Sequence, residues 1–346
     1  MSAAVVFGAT GFLGRGLLRD LLTGPDGDVL VVAAVRSAES GARLRDRLAA
    51  DGVPLDRLSV HVFDPDAAEL ALDPAPADVR DVYNLAAAFA FGMTAHAARE
   101  VNVVLAAKIT RFAAVAGARR LVHVSGYRVA AYPAVPAPWP GRHRRRTYRR
   151  FGAYEASKIE ADAVVRALAA ELGVPLTVVN PGTVIGDSRT GAADQYLGLA
   201  ELVVQLARGQ LRAVPGSRRT VLPVVTVDHL ARFLALVPRD PETVGQAYWV
   251  LDEATPPLPE LVALLADELG VPAPRRRIPV AVLRALPSRV TGAEKETLSF
   301  LSADTYPTAS AAALARRHGL EYPPVRPALR LWARHLAATA PGSAGG

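Results

Sequence analysis

With 346 residues, 51% of them hydrophobic, the chain can bury a sizeable core, and its make-up excludes disorder, collagen and low complexity. It has no cysteine, which removes disulfides, thiolate catalysis and cysteine-based metal sites. The formal charge of +7 attracts acidic ligands, yet no nucleic-acid reader motif accompanies it.

In chain order, a first strand opens at Ala3–Phe7, which leaves no room for a signal peptide. No apolar run reaches the roughly 18 residues of a spanning helix. A cytoplasmic protein without a membrane span or a nucleic-acid partner is expected. Further strands are read at Leu30–Val35, Leu58–Phe63, Val79–Leu85 and Arg120–Val124, with helical stretches between them such as Gly14–Leu22 and Ala42–Ala50. Strands alternating with helices predict βαβ units and a parallel sheet. Ala134–Pro140 is proline-rich and Gly141–Arg150 arginine-rich, and together they read as an extended loop. A helix follows from about Tyr154 to Leu172, stopped by Gly173 and Pro175. Strand Leu176–Asn180 then leads into Pro181-Gly182-Thr183. Later helices are expected near Gln195–Arg208 and Leu258–Leu269, with a return to core-like sequence at Val224–Leu236 and a frayed tail from Ala340. The fold class is α/β: a Rossmann-type doubly wound parallel sheet with a smaller, discontinuous substrate lobe. Residues 1–186 plus about 223–237 form the nucleotide domain, and 187–222 with 238–339 form the lobe.

Gly8-Ala9-Thr10-Gly11-Phe12-Leu13-Gly14 follows the first strand and opens the first helix. Glycines there permit a tight turn and close approach to a pyrophosphate, and the helix N-terminus supplies free N–H groups. At the end of the second strand stands Arg36, then Ser37. A guanidinium suits the 2′-phosphate of NADP(H), where an acidic residue would suit NAD; a solvated arginine is the plainer alternative. Asp64, after the third strand, either meets the adenine edge or caps its loop. Tyr154, Lys158, Ala161, Val165, Leu168 and Leu172 recur at spacings of four and three, so they share a helical face expected to pack on the sheet. A lysine in such a stripe needs compensation, and a nucleotide ribose would supply it. Its cation would also stabilise a phenolate on Tyr154, which makes the phenol a usable acid/base. The other reading is a snorkelling lysine beside a core tyrosine.

The combination of Gly8-x-x-Gly11-x-x-Gly14, Asn84-Leu85-Ala86-Ala87 and Tyr154-x-x-x-Lys158 resembles the extended short-chain dehydrogenase/reductase family over roughly the first 235 residues. Val35-Arg36-Ser37 with the Arg43–Leu48 helix, and Asn180 to Gly191, are most similar to thioester reductases and fatty acyl-CoA reductases. The resemblance implies a catalytic Tyr154, a Lys158 that lowers its pKa and holds the ribose, and cofactor contacts that include Ala86 and Pro181. It further implies a carbonyl substrate, small or carrier-bound, and a homodimer. The family places a second hydroxyl residue after the serine that ends the fifth strand. This chain reads Val124-Ser125-Gly126-Tyr127, so the hydroxyl position falls on Gly126. Ser125 is the candidate for the role, Tyr127 reaching in is an alternative, and a different hold on the oxygen is a third. A nucleotide-sugar epimerase or dehydratase and a non-catalytic NADP-binding regulator are the alternative functions. Arg142, Arg144, Arg145, Arg146, Arg149 and Arg150 either receive a phosphate-bearing substrate or form a solvated loop, with Trp139 a lid or a packing anchor; the Arg275–Arg277 run reads as solvated surface. The seven histidines lack metal-ligand spacing, so no metal is expected.

Overall fold

The computed structural model describes residues 2–67, 70–88, 92–131, 135–285 and 297–340. Strand β1 (Ala3–Phe7), reading AAVVF, is buried at every position. A strand covered on both faces carries a continuous apolar run rather than an alternating one. Helix α1 (Phe12–Thr23) turns Leu17, Leu18, Leu21 and Leu22 inward, and β2 (Leu30–Val35) repeats the apolar run. Helix α2 (Ala38–Ala50) starts at a reciprocal cap: Ser37 Oγ accepts from Ser40 N at 3.2 Å, and Ser37 N donates to Ser40 Oγ at 3.3 Å. β3 (Leu58–Val62) and β4 (Val79–Asn84) follow. Helices α3 (Ala95–Arg99) and α4 (Leu105–Val115) are joined through a π-helical turn at Glu100–Val104. β5 (Arg120–Val124) is again wholly buried.

Helices α5 (Gly141–Phe151) and α6 (Ala153–Glu171) come next, then β6 (Leu176–Pro181). Gly141–Arg150 is therefore a helix, not the extended loop the sequence suggested. Arginine is a good helix former, and one buried carboxylate, Glu160, anchors the inner face of this run. The stripe read from Tyr154 to Leu172 also needs correction. After Ala161 and Val165 the buried position is Ala169, and Leu172, past the last turn, is 42% exposed. Further elements are β7 (Thr183–Ile185), α7 (Leu199–Ala207), β8 (Ala213–Pro215), β9 (Val224–Thr226), α8 (Val227–Leu236), β10 (Ala247–Val250), α9 (Leu258–Leu269), β11 (Arg276–Ile278), short helices at Val280–Ala285 and Ala309–Arg317, and a C-terminal helix at Val325–Thr339.

The main sheet has seven strands in the order β10-β6-β5-β4-β1-β2-β3. The pairs from β6 through β3 are parallel, with Phe7 opposite both Ala34 and Asn84 and Val124 opposite Val179. The order reverses between β1 and β4, and such a switch point opens a crevice at the strand C-termini. The fold is thus the Rossmann-type α/β sheet expected. One compact unit holds 1–89, 93–180 and 230–248, and the other 90–92, 181–229 and 249–346. Residues 238–248, read from sequence as part of the lobe, group with the first unit because Gly245 N bonds Leu176 O and Val178 N bonds Gln246 O. The first unit's core joins β1, β4 and β5 to α4 and α6, with Phe7 edge-on to Phe63 and Phe112 at 5.4 Å. The second unit's core gathers α7, α9 and the C-terminal helix around Trp332. In that unit the loop after β7 is tied down by side chains. Asp187 accepts from the backbone of Arg189 and Thr190, while Ser188 N and Oγ donate to Asp228 at 2.9 and 2.7 Å.

Candidate active site

Gly8 sits at φ +83, a conformation open to glycine. A Cβ there would fall 2.7 Å from Leu85 C and 2.8 Å from Ala86 N, and one at Gly14 would fall 2.2 Å from Gly8 O. The loop therefore lies as close to the β4 exit as backbone allows. Gly11 N closes it onto Gly8 O at 3.1 Å, and the Arg15 guanidinium donates to Thr10 O at 2.7 Å. No side chain caps α1 at Gly11, which leaves its first-turn N–H groups, including those at Phe12 and Leu13, without a capping side-chain acceptor, as a bound anion requires. These residues fit the pyrophosphate of a nicotinamide dinucleotide.

Arg36 is exposed at the end of β2, directly before the Ser37 cap that fixes where α2 begins. Asp64 is also exposed, and its carboxylate accepts from Asp66 N at 2.8 Å, an Asx turn that caps the loop after β3. Ala86 N donates to Asn84 Oδ1 at 3.2 Å, and Asn84 Nδ2 donates to His123 Nδ1 at 3.1 Å. Burial, reinforced by the Lys158 charge, pulls the His123 pKa well below its ordinary value and keeps the ring neutral. Pro181 is buried at the end of β6.

Tyr154 and Lys158 stand one turn apart on α6. Lys158 Nζ donates to Val124 O at 3.1 Å, at the C-terminal end of β5. Burial lowers the Lys158 pKa to about 8, with Asp162 pulling weakly the other way. Ser125 Oγ is buried and has no hydrogen-bond partner among the described residues. A Cβ built on Gly126 would meet nothing within 4 Å, so the position at which the family resemblance implies a hydroxyl is open space. Trp139 is a packing anchor: it is buried, donates Nε1 to Val135 O at 2.9 Å and stacks edge-on with His143.

Two contributors escape a reading of the sequence. Asn102, in the π turn, accepts from Ala88 N at 2.9 Å and donates Nδ2 to Ser157 Oγ at 2.8 Å; Ser157 Oγ in turn donates to the Tyr154 carbonyl at 2.8 Å. The chain of bonds links the β4 exit to the first turn of α6. Its only local sign is one asparagine inside the apolar run Val101–Val104. Glu155, buried beside Tyr154, pairs with Arg128 at 2.8 Å and ties the segment after β5 to the same turn. Among the described residues no group of three His, Cys, Asp or Glu could hold a metal, and no helix is long and apolar enough to cross a membrane.

The profile of the family described as Male sterility protein, an NAD-binding family, matches residues 6–234. The chain belongs to that family. A curated relative, a linear gramicidin synthase from Brevibacillus parabrevis, is 30% identical over 211 residues; the match covers 56% of this chain and only 4% of that much longer protein. The fold is shared with the terminal R domain of the myxalamid PKS-NRPS pathway, at a TM-score of 0.75 and 21% identity over 98% of this chain and 91% of that one. It is shared also with the reductase domain of a nonribosomal peptide synthetase from Mycobacterium tuberculosis, at 0.65 and 20% over 97% and 91%. The family match makes the protein an NAD-binding member of the extended short-chain dehydrogenase/reductase family.

Proposed function

We propose that the protein uses NADPH to reduce the carbonyl of an acyl thioester delivered on a carrier, with Tyr154 as the acid. The observation that carries this reading is the Tyr154–Lys158 pair on one turn of α6, its lysine bonded to the end of β5 beside the strand exits that form the glycine cradle. Bound NADPH supplies the hydride. Gly8, Thr10, Gly11, Phe12, Leu13 and Gly14 hold the pyrophosphate, Arg36 the 2′-phosphate, Asp64 and Ala86 flank the adenine side, and Lys158 and Pro181 frame the ribose and nicotinamide. Tyr154 donates its proton to the carbonyl oxygen while the Lys158 ammonium stabilises the phenolate left behind. Hydride at carbon and proton at oxygen give a hemithioacetal, which collapses to an aldehyde and a free thiol. Ser125, whose buried Oγ has no partner among the described residues, takes the role of the hydroxyl absent at Gly126. The gramicidin synthase and R-domain relatives support the carrier-bound substrate, since those proteins belong to assembly lines by name.

The test is loss of nicotinamide absorbance with octanoyl-pantetheine, octanal, a β-ketoester and a UDP-sugar, each with NADPH or NADH. The expected outcome is thioester turnover with NADPH that falls at least a hundredfold in Tyr154→Phe. Turnover of the UDP-sugar with NADH instead would replace this reading with the epimerase. Tight NADPH binding with no substrate consumed would favour a regulator, the outcome to which the open post at Gly126 points.

A further inference from the structure

We propose that the exposed face of α5 is the docking surface for the acidic carrier protein that brings the thioester, a proposal that rests on the thioester reading above. Arg142, Arg145, Arg146, Arg149 and Arg150 are all exposed, and their spacing of i, i+3, i+4, i+7 and i+8 aligns them on one helical face. Residues 141–152 contain no Asp or Glu. None of the five forms an ion pair among the described residues; Arg150 lies over the Phe151 ring at 4.9 Å.

Such a stripe works against its own helix. Like charges three and four residues apart repel, and Arg142 in the first turn opposes the helix dipole. The helix is held from behind instead. Buried Glu160 accepts from Arg144 Nε at 2.7 Å and from Tyr148 OH at 2.8 Å, and Thr147 packs inward. A self-repelling row on a firmly anchored helix is a rigid display of positive charge, and an anionic partner relieves its cost.

The shape of the display selects the partner. From Arg142 to Arg150 on α5, at about 1.5 Å per residue, the guanidiniums spread along about 12 Å of convex surface. A single phosphate is held by donors that converge, whereas this line matches a row of carboxylates on a protein helix. Only Gly152 and Ala153 separate α5 from Tyr154, so a carrier seated here lies beside the catalytic turn. Complementary charge of this kind speeds association and makes it salt-dependent.

The experiment compares the full chain with Arg142→Glu/Arg145→Glu/Arg149→Glu, and with the matching triple Gln variant as a milder charge removal. Circular dichroism melting verifies that each is folded. Substrates are the octanoyl thioester of an acidic acyl carrier protein and free octanoyl-pantetheine, both with NADPH. At low ionic strength the KM for the carrier thioester is expected to rise at least tenfold in the Glu variant and less in the Gln variant. Kinetics on octanoyl-pantetheine stay within twofold, and the salt dependence seen for the native chain disappears. Equal carrier KM in native and Glu-substituted proteins overturns the docking surface while leaving the reductase intact. If the native chain reduces neither substrate, the thioester reading fails, and anisotropy of the fluorescein-labelled carrier decides the surface separately. Binding that is lost in the Glu variant supports it; no binding, or equal binding, sinks it.

Discussion

Lys158 combines two demands at a single residue. Burial favours its neutral form and brings its pKa from 10.5 to about 8, whereas a ribose contact and a stabilised Tyr154 phenolate both require the cation. Because the folded value lies below the unfolded one, the cation persists below about pH 8 and is lost above it. The Kd for NADPH is therefore expected to stay flat up to pH 7 and weaken at least threefold by pH 9, as read by fluorescence titration; a flat profile would mean the lysine charge does not hold the cofactor. The same shift has a stability consequence of defined sign. Between about pH 8 and 10.5 the unfolded chain binds more protons at this group, so its contribution to stability rises with pH across that window. Gly126 offers a second residue-scale test. The space at its Cβ is clear within 4 Å, so Gly126→Ser fits without displacing a neighbour and places a hydroxyl where the family resemblance implies one. Losing one such donor costs about a hundredfold in other enzymes, and adding it back here is expected to raise kcat about tenfold at unchanged Tm. An unchanged kcat would show that another group already holds the oxygen.

At the scale of elements, α6 organises its surroundings from within its first two or so turns. Glu155 takes Arg128, Ser157 takes Asn102, and Glu160 takes Arg99, Arg144 and Tyr148. Burial and the neighbouring Glu160 carboxylate push the Tyr148 phenol well up, so it stays a donor at any working pH. Glu160→Gln keeps the volume but removes the charge that three donors on α3 and α5 converge on. Each hydrogen bond to a charged group contributes about 1.5–3 kcal/mol, so the variant is expected to lose about 2 kcal/mol in denaturant unfolding. The π turn before α4 is a further device of this kind. Its extra residue per turn sits where Asn102 reaches both Ala88 N and Ser157, and π bulges are frequent at functional sites.

Across the whole molecule, the alternation of buried apolar strands with amphipathic helices was legible from the sequence, because a parallel sheet covered on both faces requires it. β1, β2 and β5 lie where the apolar runs placed them, and α9 matches Leu258–Leu269. The glycine spacing and the Tyr154–Lys158 interval were likewise legible, since the first is a local steric requirement and the second one helical turn. The fate of Gly141–Arg150 was not. An arginine-rich run interrupted only by His143, Thr147 and Tyr148 carries no apolar stripe, and its inner face is anchored by Glu160, further along in the next helix. Asn102 and Ser157 are 55 positions apart, and no periodicity or spacing relates them. By itself the sequence determined the sheet, the glycine loop after β1 and the one-turn spacing of Tyr154 and Lys158, because each depends on neighbours within a turn or a strand. Only the tertiary structure decided the support beneath Tyr154, the single charged face of α5 and the open post at Gly126, because those arise where segments remote in the chain pack together.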